Sequence, residues 1–139
     1  MQLSSGLLCA GRQWQRMADH RLQPLGISVA CAMPLLMIQR AGGGIRQITL
    51  AQQLGMEGPS LVRLLDKLCA DGLVRRQSDA SDRRAKLLWL TDQGEGLVER
   101  LEETLIRLRE EVFGAMDEQE LRTALKLWQL LGEASAQQT

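Results

Sequence analysis

Ser60, Arg63 and Lys67 are spaced three and four residues apart, which places them on one side of an α-helix. At roughly 100° per residue Asp66 falls on the same side. Leu61, Leu64, Leu65 and Leu68 fall opposite, within about 100° of one another. The leucine back would pack on its own domain. A front of hydroxyl and cationic groups suits a DNA major groove, where such groups reach base edges and phosphates. The plainer alternative is an amphipathic helix with a solvated face. A second cationic group follows: Arg75, Arg76, Arg83, Arg84 and Lys86 outnumber Asp79 and Asp82 between two apolar runs, Leu73-Val74 and Leu87 to Leu90. Ser78, Asp79, Ala80, Ser81 and Asp82 form a turn-rich stretch, so the segment predicts a β-hairpin with a positive tip, able to reach a minor groove or its phosphates.

The elements that must hold these groups are also legible. Pro59 suits a first helical position and Gly72 an end, bounding the Arg63-bearing helix. Thr49 and Gln52 resemble a capping box for a preceding helix in which Leu50, Ala51 and Leu54 face inward, and Gly55 suits its left-handed stop. Only three residues separate Gly55 from Pro59, so the two helices should cross steeply, as in a helix-turn-helix. With the hairpin attached, this is a winged helix-turn-helix.

Upstream, Leu3, Leu7, Ala10, Trp14 and Met17 alternate steps of four and three, a coiled-coil-like seam that calls for a partner helix from a second subunit. Pro24 and Gly26 end it. Ser28 can cap a helix apolar on nearly all sides from Val29 to Ile38, in which Pro34 should produce a kink or mark the first turn. Ala41 to Gly44 form the loop into the hairpin-bearing unit. Downstream, Thr91 should cap a long helix to about Phe113, its first turns loosened by Gly94 and Gly96. Asp117 and Glu120 form a capping box for a last helix with Leu121, Leu125, Trp128 and Leu131 on one stripe.

At 139 residues with 45% apolar and 24% charged side chains, the composition is that of one globular domain. The net charge of zero divides unevenly: +4 over residues 1–54, +2 over 55–90 and −6 over 91–139. A neutral total therefore does not exclude nucleic acid as a partner. No run approaches the roughly 18 apolar residues of a membrane span, and the apolar N-terminal residues lack a basic start. The expected location is the cytoplasm, with no membrane partner, and Cys9, Cys31 and Cys69 fit its reducing conditions. A single histidine, no paired Cys/His spacing, and glycines 42–44 without a following Lys-Ser/Thr pair leave no catalytic or metal site to nominate. No enzyme activity, metal or cofactor is expected.

The run Asp82-Arg83-Arg84-Ala85-Lys86, followed by Leu90-Thr91-Asp92-Gln93-Gly94, resembles the wing signature of the MarR family of bacterial regulators. Pro59 to Arg63, Gly72-Leu73-Val74, and Asp19 to Leu22 with Pro24-Leu25 resemble most closely the SlyA and RovA branch. That resemblance implies one MarR-type domain over 1–139: mainly α with a small β-hairpin wing, a winged helix-turn-helix (27–91) on an intertwined helical dimerisation scaffold (1–26 and 92–139). It implies a homodimer on double-stranded DNA that acts as repressor or anti-repressor at a pseudo-palindromic operator, relieved by a small aromatic acid near Trp14 and His20. Ser60, Arg63 and Lys67 are assigned to the groove and base edges, Arg83 and Arg84 to the wing tip, and Arg75 and Lys86 to phosphates. Asp82 is assigned to orienting Arg84. Two alternatives stay open: a winged helix used only for protein contacts, and a cysteine-based redox-sensing regulator.

Overall fold

Leu61, Leu65 and Leu68, the back of the cationic helix, are all within 1% of complete burial, and the first half of the chain is assembled around them. The computed structural model describes residues 2–138. It places α1 at Leu3–Leu22, closing in a 3-10 turn at Gln23–Leu25, then α2 (Val29–Arg40), β1 (Ile45–Arg46), α3 (Gln47–Leu54) and α4 (Gly58–Ala70). Strands β2 (Val74–Ser78) and β3 (Lys86–Leu90) precede α5 (Asp92–Phe113) and α6 (Glu118–Ala136). The fold is mainly α with a small antiparallel wing, as the sequence predicts. Two compact units are present, Met1–Leu105 and Ile106–Thr139.

In the first unit the α4 leucines meet Leu22 of α1, Leu35 and Ile38 of α2, Leu50 of α3, Leu88 of β3 and Leu101 of α5. Burying a leucine stabilises by roughly 1.5–3 kcal/mol, so this shared cluster fixes α4 against all its neighbours. Pro59 lies in the first turn of α4, where its missing N–H breaks no helical bond. Gly72 follows the helix at φ 74°. Gly55 ends α3 at φ 64°, and the N–H of Met56 reaches back to the carbonyl of Ala51, a glycine-dependent C-terminal cap.

The sheet has three strands, in the order β1-β3-β2, not the two of a simple hairpin. Ile45 pairs with Leu88 and Arg46 with Leu87. Two residues are too short a run for a period to be read, so the sequence gives no sign of β1. Its presence also corrects the expected start of α3. That helix begins at Gln47 with Arg46 as an extended N-cap and no side-chain cap bond; Thr49 lies inside it, so the Thr49–Gln52 capping box does not form.

Other ends behave as expected. Ser28 Oγ accepts from the N–H of Cys31 at 3.3 Å, and Asp19 Oδ1 accepts from the N–H of Val29 at 2.7 Å, so two side chains cap α2. Pro34 is inside α2 beyond its first turn and buried, leaving the Ala30 carbonyl without its usual helical donor. In the second unit, Asp117 and Glu120 form the expected reciprocal capping box at the start of α6. Among the described residues no single helix is long and apolar enough to cross a membrane.

Thr91 caps α5: its Oγ1 accepts from the N–H of Gly94 at 3.0 Å and donates to the carbonyl of Gly72 at 2.6 Å. Gly94 has a role other than the expected loosening of the helix. A Cβ there would overlap the Leu73 carbonyl oxygen, whereas one on Gly96 would meet nothing within 4 Å. The two glycines therefore predict opposite outcomes. Gly94→Ala is expected to lower stability by about 1–3 kcal/mol through overpacking, and Gly96→Ala to raise it by up to about 1 kcal/mol through helix propensity. Urea unfolding of both variants measures the difference; equal midpoints would show that Leu73 moves aside.

Candidate nucleic-acid interface

Helix α4 presents Ser60, half-buried near its start, then Arg63 and Lys67, both exposed. The front is not uniformly cationic, because Asp66 stands on it. Asp66 Oδ1 accepts from Nη1 of Arg76 on β2 at 2.9 Å, which pins that edge strand of the wing to the middle of α4. Nε and Nη2 of Arg76 are buried without a hydrogen-bond partner among the described residues, so Asp66 is that guanidinium's anchor. Arg76 was not among the predicted site residues. An acid on an otherwise cationic helix face was the signal that a cation from another element meets it.

The wing is held from below by Trp89. In β3 it faces Arg75 of β2 across the antiparallel pair, and the Arg75 guanidinium lies 5.7 Å from the centre of its ring, within cation–π range. Nη1 of Arg75 also donates to Oε1 of Gln77 at 3.2 Å. On the other side, Gly43 and Gly44 have φ of 84° and 69°, and a Cβ on either would press into the indole. The glycine loop is therefore shaped by the ring it passes. At the strand ends Lys86 Nζ donates to Ser78 Oγ at 3.0 Å.

The loop joining β2 to β3 is built by two aspartates. Asp82 Oδ1 accepts from the backbone N–H of Arg84 at 3.0 Å, so it fixes the chain at Arg84 and not the guanidinium. Asp79 Oδ1 accepts from the N–H and hydroxyl of Ser81 at 3.0 and 2.9 Å, while its Oδ2 pairs with Nη2 of Arg46 at 3.0 Å. Arg46 thus clips the outer strand to the wing loop across 33 residues, a contact with no trace in local sequence. Arg83 and Arg84 are exposed on this loop and, with Arg63, make no ion pair among the described residues.

The predicted site residues are accordingly of two kinds. Arg63, Arg83 and Arg84 are uncommitted, whereas Arg75, Lys86 and Lys67 have protein partners. Lys67 turns away from the others, its Nζ 4.0 Å from Sγ of Cys31. Trp14 is half-buried and His20 exposed. Neither lines the cavity of about 650 Å³ in the first unit, which is bounded by the α1–α2 connection, the start of α2, the end of α4 and the start of α5.

A model of the MarR family matches residues 25–85. Transcriptional regulator PA3341 is 36% identical over 97% of this chain and 99% of its own, with a TM-score of 0.86. A cysteine-to-serine variant of MarR from E. coli, solved with operator DNA, is 25% identical, with 93% and 92% covered and a TM-score of 0.82. CouR from Rhodococcus jostii RHA1, solved with p-coumaroyl-CoA, is also 25% identical, with 91% and 88% covered and a TM-score of 0.84.

The Ser81 N–H, then its hydroxyl, then Arg46 hold the Asp79 carboxyl below its ordinary value of 3.8. A lowered folded value stabilises the wing loop fully above the ordinary value and loses that contribution as pH falls through the folded one. The Asp79 carboxyl carbon, followed by NMR, should therefore titrate below 3.8, with the Ser81 amide shifting at the same midpoint. Arg46→Ala should raise that midpoint only part of the way, since the Ser81 bonds remain. A midpoint at 3.8 in the wild type would mean that the loop is not closed by this aspartate in solution.

Proposed function

The chain belongs to the MarR family of transcriptional regulators, and on that premise we infer that it is a dimeric DNA-binding regulator whose α4 enters the major groove while the wing reaches the adjoining minor groove or its phosphates. The carrying observation is the division of charge. Three carboxylates on the helix front and the wing are engaged within the protein: Asp66 with Arg76, Asp79 with Arg46 and Ser81, Asp82 with a backbone N–H. Arg63, Arg83 and Arg84 are left exposed with no internal counter-charge among the described residues. Backbone phosphates supply such counter-charge. A module used only for protein contacts would not need three arginines kept free in this way.

Ser60 and Arg63 stand in the first half of α4, the half that meets base edges in helix-turn-helix proteins. Arg75 and Lys86, fixed by Trp89 and Ser78, flank them as phosphate contacts, and Asp82 sets the wing turn from which Arg84 projects. Lys67 takes the groove's edge when its side chain swings outward. One such unit neutralises few phosphates. Two related by a two-fold axis reach successive major grooves about 34–36 Å apart on a pseudo-palindromic site. Support for a homodimer comes from the apolar stripe of α6, where Leu125 and Trp128 are 61% and 52% exposed. In α1, Leu3 and Met17 of the predicted seam are exposed too. Burying such faces against a second copy removes large apolar side chains from water. Within the family we assign the chain to the SlyA and RovA branch on its Pro59-Ser60-Leu61-Val62-Arg63 and Gly72-Leu73-Val74 strings. In that assignment it represses, or displaces another repressor, and is relieved by a small aromatic acid near Trp14 and His20.

Binding of the purified chain to its own upstream DNA should fall steeply with salt, with a log–log slope of roughly −0.9 per phosphate contact. The double variant Arg83→Ala, Arg84→Ala should bind more weakly and with a shallower slope, while unfolding at the wild-type midpoint. Fluorescence anisotropy over a series of salt concentrations reads both. Wild-type affinity and slope in the folded variant would remove the wing from the interface.

A further inference from the structure

The leucines of α4 leave one side of the helix unpacked, and that side is not purely polar. Pro59, Val62, Arg63 and Asp66 stand at helical spacing on one face, and all four are exposed. Asp66 is tied to Arg76, and Arg63 makes no ion pair among the described residues. Val62 is the member without an evident reason. It is 37% exposed and lies outside the apolar cluster that holds α4 in place. Between β1 and β3 only Val62 and Ile48, among the described residues, are large apolar side chains left exposed. Ile48 is on α3, the helix that crosses the DNA backbone in helix-turn-helix proteins, whereas Val62 is in the first half of α4. Nor does the helix itself favour a valine there, because β-branching makes it a weaker helix former than alanine, glutamate or lysine. What β-branching supplies is stiffness. One χ1 rotamer strongly dominates in a helix, so two methyl groups stand in a fixed direction beside Arg63 with little rotamer freedom left to lose on binding.

A DNA major groove offers one apolar group to such a surface, the C5-methyl of thymine. We propose that Val62 is a specificity-determining residue that reads a thymine methyl beside the base edge or phosphate taken by Arg63. The assignment rests on the DNA-binding reading and deepens it: each half-site contains an A·T pair recognised through its methyl group and not through hydrogen bonds. The contact carries no charge, so it selects sequence without adding to the salt dependence.

The test uses the full chain and the tightest-binding duplex selected from a pool with a randomised centre. Each thymine of that duplex is replaced singly by uracil, which lacks only the methyl. Fluorescence anisotropy should find a position in each half-site where uracil weakens the wild type by about fourfold, the equivalent of one buried methyl. Val62→Ala should bind thymine and uracil at that position equally, with the wild-type salt slope and an unfolding midpoint no lower than that of the wild type. Val62→Ile should keep the preference, and so should Arg63→Lys, although its overall affinity falls. A wild type indifferent to uracil at every position, or a preference that survives in Val62→Ala, overturns the assignment and leaves the regulator reading intact. A chain that enriches no sequence from the pool overturns the regulator reading itself, and the assignment with it.

Discussion

A knot of contacts at Thr91 joins the helix, the wing and the long helix that follows. Its backbone N–H donates to the Leu73 carbonyl at 3.1 Å, its hydroxyl donates to the Gly72 carbonyl at 2.6 Å, and the same oxygen accepts from Gly94. Gly94 must lack a side chain because the Leu73 carbonyl occupies that space. The chain leaves α4 at Gly72 and returns from β3 to the same place, so the hairpin is closed at its base by hydrogen bonds independent of its tip. With the base closed and α4 held by its leucines, α4 and the wing keep one spacing, as two contact points on a duplex require.

That knot also gives physical content to the strings through which the family is recognisable. Gly72-Leu73 and Leu90-Thr91-x-x-Gly94 look like separate motifs, but they are the two sides of one contact. A threonine offers both donor and acceptor from one oxygen, a glycine admits a close carbonyl, and another glycine takes the positive φ after α4. The Asp82-x-Arg84 element has a similar basis: a short carboxylate two residues before an N–H closes an Asx turn. It sets the backbone, and so the direction in which Arg84 leaves the loop.

What was legible followed from period and local chemistry. The leucine stripe of α4, the stop at Gly55, the caps at Ser28, Thr91 and Asp117, and the cationic loop all involve residues within about four positions of one another, where steric and capping rules act directly. What escaped depends on partners far along the chain. Strand β1 exists because Leu87 and Leu88 offer it a ladder edge, and it displaced the helix start expected at Thr49. Arg76 was counted with the free charge of the hairpin and Arg46 carried no local signal, but each is tied to an aspartate outside its own element. Gly94 looked like a weak point in a helix because the carbonyl it accommodates lies 21 positions earlier. The exposed α6 stripe was legible as a pattern, whereas its occupant is not a property of one chain.

Lys67 shows the limit of a helical wheel most directly. The wheel fixes the direction of the Cα–Cβ bond, and by that measure Lys67 belongs with Arg63. A lysine, however, carries its charge at the end of a flexible stem that can lie along apolar surface, so the ammonium need not stay on the face from which it starts. Position along the helix decides. Arg63 is in the first half of α4, whereas Lys67 lies in the last turn, beside the opening lined by Leu68 and Asp71. There its ammonium lies 4.0 Å from the sulfur of Cys31.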